Sequence, residues 1–145
     1  MKFIRVLKAS YDPNNLNDIC KSIAKNIFNK GKITVSYKDN ENVDVNPKKI
    51  VSDKMGGNTI IYDISLNYFF PLFAQINIKN NEVYLKLGYY DDEYEGNKRV
   101  SVRKKYSDLY NTDIMFEDIK QYINKYMKRQ FKFMEDNEED IEEFY

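Results

Sequence analysis

The chain of 145 residues contains no histidine, no tryptophan and a single cysteine, Cys20. Without histidine, neither the usual histidine-based zinc sites nor catalytic triads with a histidine base can form. One cysteine excludes an internal disulfide framework and is typical of a reducing compartment. We therefore expect a cytoplasmic protein that binds no metal ion and no other cofactor.

Long apolar runs are also lacking. The longest, residues 68–74, spans seven residues and includes Pro71, whereas a membrane-spanning helix needs about 20 apolar residues. Lys2, Arg5 and Lys8 interrupt the apolar residues at the N-terminus, which is unlike a signal peptide. The sequence thus predicts a soluble protein with no membrane partner.

Familiar catalytic motifs are absent. The chain has no Gly-x-Ser-x-Gly motif, no glycine-rich phosphate loop and no dinucleotide-binding fingerprint. Cys20 lies on the apolar stripe of a predicted helix, so we interpret it as a core residue. We predict a protein that is not an enzyme and has no catalytic residues. An enzyme that uses carboxylates and a divalent metal is kept as a third hypothesis.

The residues that are present suffice for one folded domain. The hydrophobic fraction is 42%, with 13 Tyr and 9 Phe, which is too rich in core-forming residues for a disordered chain. A chain of this length most simply forms one domain. The abundance of Lys, Asn and Ile is typical of an AT-rich genome, and we expect a low-GC bacterium or a phage or mobile element living in one.

Periodicity predicts an α+β fold. Apolar residues at helical spacing predict helices over about 13–30 and 113–134, with Asp12 and Thr112-Asp113 as N-terminal caps and Gly31 as a C-terminal stop. The predicted domain is residues 1–134, followed by an acidic tail, 135–145.

Alternating residues predict an antiparallel sheet of about five to six strands, flanked by the two helices. Strands are expected at 3–8 and 33–37, and residues 46–58 are expected to form a loop. The clearest hairpin joins 72–78 to 83–89 through Asn80-Asn81. Asp63 is expected to be a buried acid.

Zero net charge conceals an asymmetry. All 23 basic side chains lie in residues 1–134, whereas the last eleven residues contain seven acids. A second acidic segment follows the predicted hairpin. Acidic, tyrosine-rich segments can imitate a nucleic-acid backbone and bind a basic groove on a partner protein. The candidate partner-binding residues are Asp91, Asp92, Glu93, Tyr94, Glu95, Glu138, Glu139, Asp140, Glu142, Glu143 and Tyr145.

The spacing Asp91-x-Glu93-x-Glu95-Gly96 also resembles the start of a calcium-binding loop. The position that should hold a bidentate glutamate is Val102, and the flanking residues predict strands. We therefore interpret this segment as a hairpin tip and assign no metal ligands.

A basic segment gives the alternative. Arg99, Arg103 and Lys105 share one face of a predicted strand by period two, and Lys125 and Arg129 on the last helix extend the patch if that helix packs nearby. Such cations bind phosphates, and neighbouring tyrosines stack on bases.

Two functional hypotheses follow. The first is a small interaction protein of phage or mobile-element origin, which inhibits a host protein such as a nuclease or another nucleic-acid-handling defence enzyme by steric or charge-mimic occlusion. The alternative is a nucleic-acid-binding accessory protein that uses the basic strand 98–105 and the final helix. The sequence leaves the oligomeric state open, a dimer included.

Overall fold

A computed structural model describes residues 15–37, 41–53, 56–64, 71–91 and 97–136. Two helices and six strands follow one another in this part of the chain. The helices are α1 (Leu16–Phe28) and α2 (Thr112–Asp136). The strands are β1 (Ile33–Tyr37), β2 (Glu41–Ser52), β3 (Asn58–Ile64), β4 (Leu72–Lys79), β5 (Glu82–Asp91) and β6 (Asn97–Tyr106).

The six strands form one antiparallel sheet in the order β1-β2-β3-β4-β5-β6. Each strand pairs with its neighbour in sequence, so every connection within the sheet is local. The predicted α+β class, with six antiparallel strands and two helices, is confirmed. The strand predicted at 3–8 lies outside the described residues.

Both helices pack on one face of the sheet, called the inner face here. Helix α1 contacts β2, β3 and β4, whereas α2 contacts β1 and β5. One helix can contact both of these distant strands because the sheet curls around the core. The core combines alternate strand residues such as Ile60, Ile76 and Leu85 with the apolar stripes of the helices, as the period-two and period-3.6 patterns predict.

The helix ends follow from local chemistry. Gly31 follows α1 with a φ of 91°, a backbone conformation that glycine adopts without the steric cost of a Cβ, and this confirms the predicted stop. At the start of α2 the cap is Asn111, not Thr112-Asp113: its Oδ1 accepts a hydrogen bond of 3.3 Å from the Ile114 amide. The predicted cap of α1 at Asp12 lies outside the described residues.

Strand β2 corrects the loop predicted at 46–58. It continues through Pro47 to Ser52 and pairs with β3, with a bulge between Pro47 and Lys49. Strand β1 pairs only with residues 41–45, so Pro47 lies where β2 has no partner on that side among the described strands. Within sheets, proline is confined to exposed edges and bulges such as these, because it has no N–H to donate to the ladder.

One thiol and one carboxyl group were predicted to be buried. Cys20 is fully buried in the core, and its Sγ donates to the Ile76 carbonyl oxygen at 3.1 Å. Burial raises the pKa of this thiol, and a hydrogen bond with Asn58 opposes the rise, so it remains protonated, as a core residue should. Asp63, in contrast, is exposed: it faces away from the helices, and its predicted burial is wrong.

A bulge in β6 makes a glycine necessary at position 88. Leu87 pairs with Val102 and Gly88 with Val100, so Ser101 has no partner on β5. An added Cβ on Gly88 would lie 1.9 Å from the Arg99 carbonyl oxygen and 2.9 Å from Phe73 Cζ. No side chain is compatible with this backbone approach.

We expect Gly88→Ala to lower the free energy of unfolding by about 2–3 kcal/mol, because the backbone of β5 or β6 must move to accept the Cβ. Urea unfolding measures the loss. The matched control is Gly31→Ala, where nothing lies within 4 Å of the added Cβ and only the backbone strain of a positive φ, about 1 kcal/mol, is expected. A Gly88→Ala protein as stable as wild type would show that β5 and β6 have room for a Cβ at this position.

Candidate functional site

The face of the sheet opposite the helices, the outer face, carries polar and basic side chains. The inner residues of β4 and β5 alternate with residues that face outward. The polar and charged residues of the outer face on β4, β5 and β6 include Gln75, Asn77, Lys79, Glu82, Tyr84, Lys86, Arg103 and Lys105.

Two cations lie directly opposite each other on this face. Lys86 on β5 pairs with Arg103 on β6, and both side chains are exposed. Directly opposed like charges destabilise a sheet, so sheet formation alone does not favour this pair. Among the described residues neither cation has a carboxylate within ion-pair distance, whereas the neighbouring Lys105 Nζ lies 3.3 Å from Glu82 Oε2.

A groove of about 420 Å³ lies beside these cations. Asn77 and Tyr84 form a cross-strand pair at its centre. Gln75 Nε2 donates a hydrogen bond of 2.9 Å to Asp53 Oδ2, which fixes the amide of Gln75 at the wall. The residues that line the groove are Asp53, Gln75, Asn77, Lys79, Tyr84 and Lys86.

The other end of the outer face carries aromatic rings. Phe73 faces outward opposite Gly88, yet it is only 1% exposed. The Tyr90 ring lies 5.2 Å from the Phe73 ring, centroid to centroid, and Lys98 Nζ lies 5.6 Å from the Phe73 centroid. The missing Cβ of Gly88 leaves the space that the Phe73 ring fills. The polar groove and this aromatic contact therefore lie along the same face.

The register corrects the predicted shared face of Arg99, Arg103 and Lys105. Arg103 and Lys105 pair with Lys86 and Tyr84 and face outward, but Arg99 pairs with Tyr89. Tyr89 packs against the core, so Arg99 lies on the inner face. The unpaired Ser101 of the bulge breaks the period-two pattern between Arg99 and Arg103.

The predicted helical cations are not brought to the outer face. Lys125 and Arg129 are exposed on α2, and α2 packs on the inner face. Arg129 instead approaches Tyr122 and opposes the rise of its pKa. The structure therefore brings together Arg103 and Lys105 and separates them from Arg99, Lys125 and Arg129.

Lys104 on β6 forms an ion pair with helix α2. It faces α2, and its Nζ lies 3.1 Å from Asp118 Oδ1. The hydroxyl of Tyr106 donates to Asp118 Oδ2. Asp118 thus joins β6 to α2 through two residues, and this pairing distinguishes Lys104 from the outward-facing Arg103.

Tyrosines with raised pKa values lie between the sheet and α2. The Tyr89 and Tyr126 ring centroids are 5.4 Å apart, and those of Tyr122 and Tyr126 are 6.0 Å apart. Burial raises the pKa of Tyr122 and Tyr126. Burial also raises the pKa of Tyr106, and the negative charge of Asp118 adds to the shift.

The acidic candidates fall largely outside the described residues. The backbone of Asp91 ends β5 and pairs with Asn97. Asp92, Glu93, Tyr94 and Glu95 lie outside, as do Glu138, Glu139, Asp140, Glu142, Glu143 and Tyr145. In the described part of the chain, no three or more Cys, Asp or Glu side chains are grouped as a metal site would require.

None of the six residues of the groove was predicted from the sequence, and five of them lie in the β4–β5 hairpin: Lys79, Tyr84, Lys86, Gln75 and Asn77. Their signal was present in the hairpin, because they occupy the polar positions that alternate with Ile76, Ile78 and Leu85. The polar half of that alternation defines a surface as clearly as the apolar half defines a core.

No protein-family model, curated protein or solved structure matches this chain. Neither described helix combines the length and the apolar character that crossing a membrane requires.

We expect the protein to lose stability as the pH rises above 10, the ordinary pKa of tyrosine. Above that pH the unfolded chain ionises its tyrosines while the folded chain resists, so the stability present below pH 10 is lost progressively. Because Asp118 opposes ionisation of Tyr106, Asp118→Asn should move part of the tyrosinate absorbance titration to lower pH. The control is Asp113→Asn, an exposed acid on the same helix. Identical titrations of the Asp118→Asn and wild-type proteins would refute this interpretation.

Proposed function

We propose that the protein binds nucleic acid through the outer face of β4, β5 and β6. The observation that carries the proposal is the direct opposition of Lys86 and Arg103, neither of which has a described carboxylate within ion-pair distance, although Asp53 lines the groove beside Lys86. An anion between the two cations would remove their repulsion, and a phosphate accepts hydrogen bonds from both. A polymer of phosphates would extend the contact to Lys79 and Lys105.

The cations of the outer face could serve only to protect a sheet edge, but that role explains only some of them. Strand β6 lies at the edge of the described sheet, and charged side chains on an edge strand prevent pairing with other chains. Arg103 and Lys105 fit that role. Lys86, however, lies on β5 between its partners Gln75 on β4 and Arg103 on β6, whereas Lys79 lies beyond Ile76, the last residue of β4 that pairs with β3. The interior position of Lys86 therefore favours a binding role.

The proposed interface differs from the one predicted from sequence. It keeps Arg103 and Lys105, replaces the helical cations with Lys79 and Lys86, and uses the strand hairpin as its platform. The groove and its tyrosine lie within the same surface, and aromatic residues beside cations are typical of nucleic-acid-binding sheets.

The test is the double variant Lys86→Gln/Arg103→Gln in a fluorescence anisotropy titration with a labelled oligonucleotide. We expect at least about a tenfold loss of affinity at low salt and a salt dependence lowered by about one to two ions, because two phosphate contacts are lost. Both residues are exposed, so the fold should be retained.

The matched control is Lys125→Gln/Arg129→Gln, which removes the same charge from α2. Its affinity should stay within about twofold of wild type, since only long-range charge is lost. Equal losses in both double variants would indicate attraction by overall charge alone. An unchanged Lys86→Gln/Arg103→Gln protein would refute the proposed interface.

A second candidate function is favoured by the composition of the last eleven residues, with seven acids and no base. In this proposal the acidic segments bind the basic groove of a host nucleic-acid-handling protein and exclude its nucleic acid. Binding of this kind needs no enzymatic activity of the chain.

This second candidate is tested by neutralising the tail with Glu138→Gln, Glu139→Gln, Asp140→Asn, Glu142→Gln and Glu143→Gln. We expect the wild-type protein to retain one protein in stoichiometric amount from a nuclease-treated lysate of a low-GC bacterium, and the neutralised protein to lose it. The control carries Lys125→Gln and Arg129→Gln with the tail intact. Equal retention by the neutralised protein would exclude charge mimicry by the tail.

A further inference from the structure

We infer that the groove beside Tyr84 takes one unpaired nucleobase, so that the outer face binds single strands in preference to duplexes. This inference rests on the proposed function and specifies its substrate class. It is carried by the arrangement of aromatic, amide and cationic groups across three neighbouring strands.

Tyr84 is the centre of this arrangement. It lies on β5, with Asn77 directly opposite on β4 and Lys105 directly opposite on β6. Its side chain is half-buried and lines the groove. A base can stack on a tyrosine ring whatever its sequence, because every base has an aromatic face.

The groups on the two sides of Tyr84 differ in chemistry. Gln75 and Asn77 lie on the β4 side, whereas Arg103 and Lys105 lie on the β6 side. Two strand spacings, about 10 Å, separate the two sides, which is the scale of one nucleotide. Amides pair with base edges and cations pair with phosphates. A nucleotide stacked on Tyr84 would meet both kinds of group at once.

The orientation of the Gln75 amide group favours one kind of base. Its amino group donates to the Asp53 carboxylate, and a carboxylate only accepts. The bond to Asp53 uses one of the two N–H groups of this amide, which leaves the carbonyl oxygen and the other N–H of Gln75 for a ligand in the groove. The carbonyl oxygen accepts a hydrogen bond from an exocyclic amino group, as in cytosine or adenine, and thymine offers no such group.

A duplex cannot use these groups in the same way. Its bases are stacked and paired, so a base must leave the helix before its face can lie on Tyr84. A duplex therefore reaches the cations through its phosphates but gains nothing from the tyrosine or the amides.

The experiment compares three labelled probes of equal length by fluorescence anisotropy: oligo-dC, oligo-dT and a mixed-sequence duplex. The proteins are the full chain, Tyr84→Phe, Tyr84→Leu and Lys86→Gln/Arg103→Gln. Thermal unfolding of each variant is measured alongside. Tyr84→Phe keeps the aromatic face, and Tyr84→Leu removes it at similar hydrophobicity.

We expect the wild-type chain to bind oligo-dC more tightly than oligo-dT, and both more tightly than the duplex. Tyr84→Phe should bind like wild type, and Tyr84→Leu should lose roughly tenfold or more on the single strands with little change on the duplex. The comparison of the three probes on the wild-type chain tests the inference even if Tyr84→Leu does not fold.

The outcomes separate the two proposals. Binding to none of the probes would overturn the proposed function itself. Equal affinity for single strands and duplex, lowered only by Lys86→Gln/Arg103→Gln, would leave that function standing and overturn this inference. Equal affinity for oligo-dC and oligo-dT would overturn the assignment of Gln75 to the base edge.

Discussion

The register between β4 and β5 is the constraint on which the rest of the structure depends. The two strands are joined by Asn80 and Asn81, whose φ values of 53° and 64° match a two-residue turn with both central residues in the left-handed region. This turn fixes Lys79 opposite Glu82 and every pair after it. A slip of one residue would exchange the faces of a whole strand, placing Lys86 in the core and exposing Leu85. The apolar core and the basic surface are thus two results of one short turn.

The one-sided placement of the helices gives each face of the sheet a different role. On the inner face Lys104, whose side chain is 40% exposed, forms an ion pair with the largely buried Asp118. On the outer face the solvent supports a charge without a partner, so Lys86 and Arg103 can remain opposed at small cost. An anion that binds between Lys86 and Arg103 removes their mutual repulsion, and this relief adds to the free energy of binding. The proposed function therefore needs no strained backbone and no buried charge.

Sequence periodicity was sufficient where a side chain's environment depends on its own strand or helix. The hairpin at Asn80-Asn81, the stripes of both helices and the buried Cys20 were all predicted in this way. It failed where the environment depends on a neighbouring strand. Periodicity predicts a loop at Pro47, because the unpartnered side of β2 is visible only in the sheet. Arg99 was placed beside Arg103 because the extra residue of the β6 bulge is invisible to a period-two pattern. The groove residues of β4 and β5 lie in the predicted hairpin, but Asp53, which follows β2 and bonds Gln75, is brought beside them only by the fold.

The bulge in β6 has a consequence for how this sheet can change in evolution. Ser101 has no partner on β5, so a chain without it would restore an uninterrupted ladder while Lys98 and Arg99 kept their faces. The backbone of β6 would then no longer press against position 88, and a residue with a side chain could replace Gly88 once the Phe73 ring, 2.9 Å from an added Cβ, had moved aside. An insertion at one position and a glycine at another are therefore coupled. In related chains we expect the extra residue at position 101 and the glycine at position 88 to be present together or absent together. A comparison of single substitutions would not reveal this co-variation between strands.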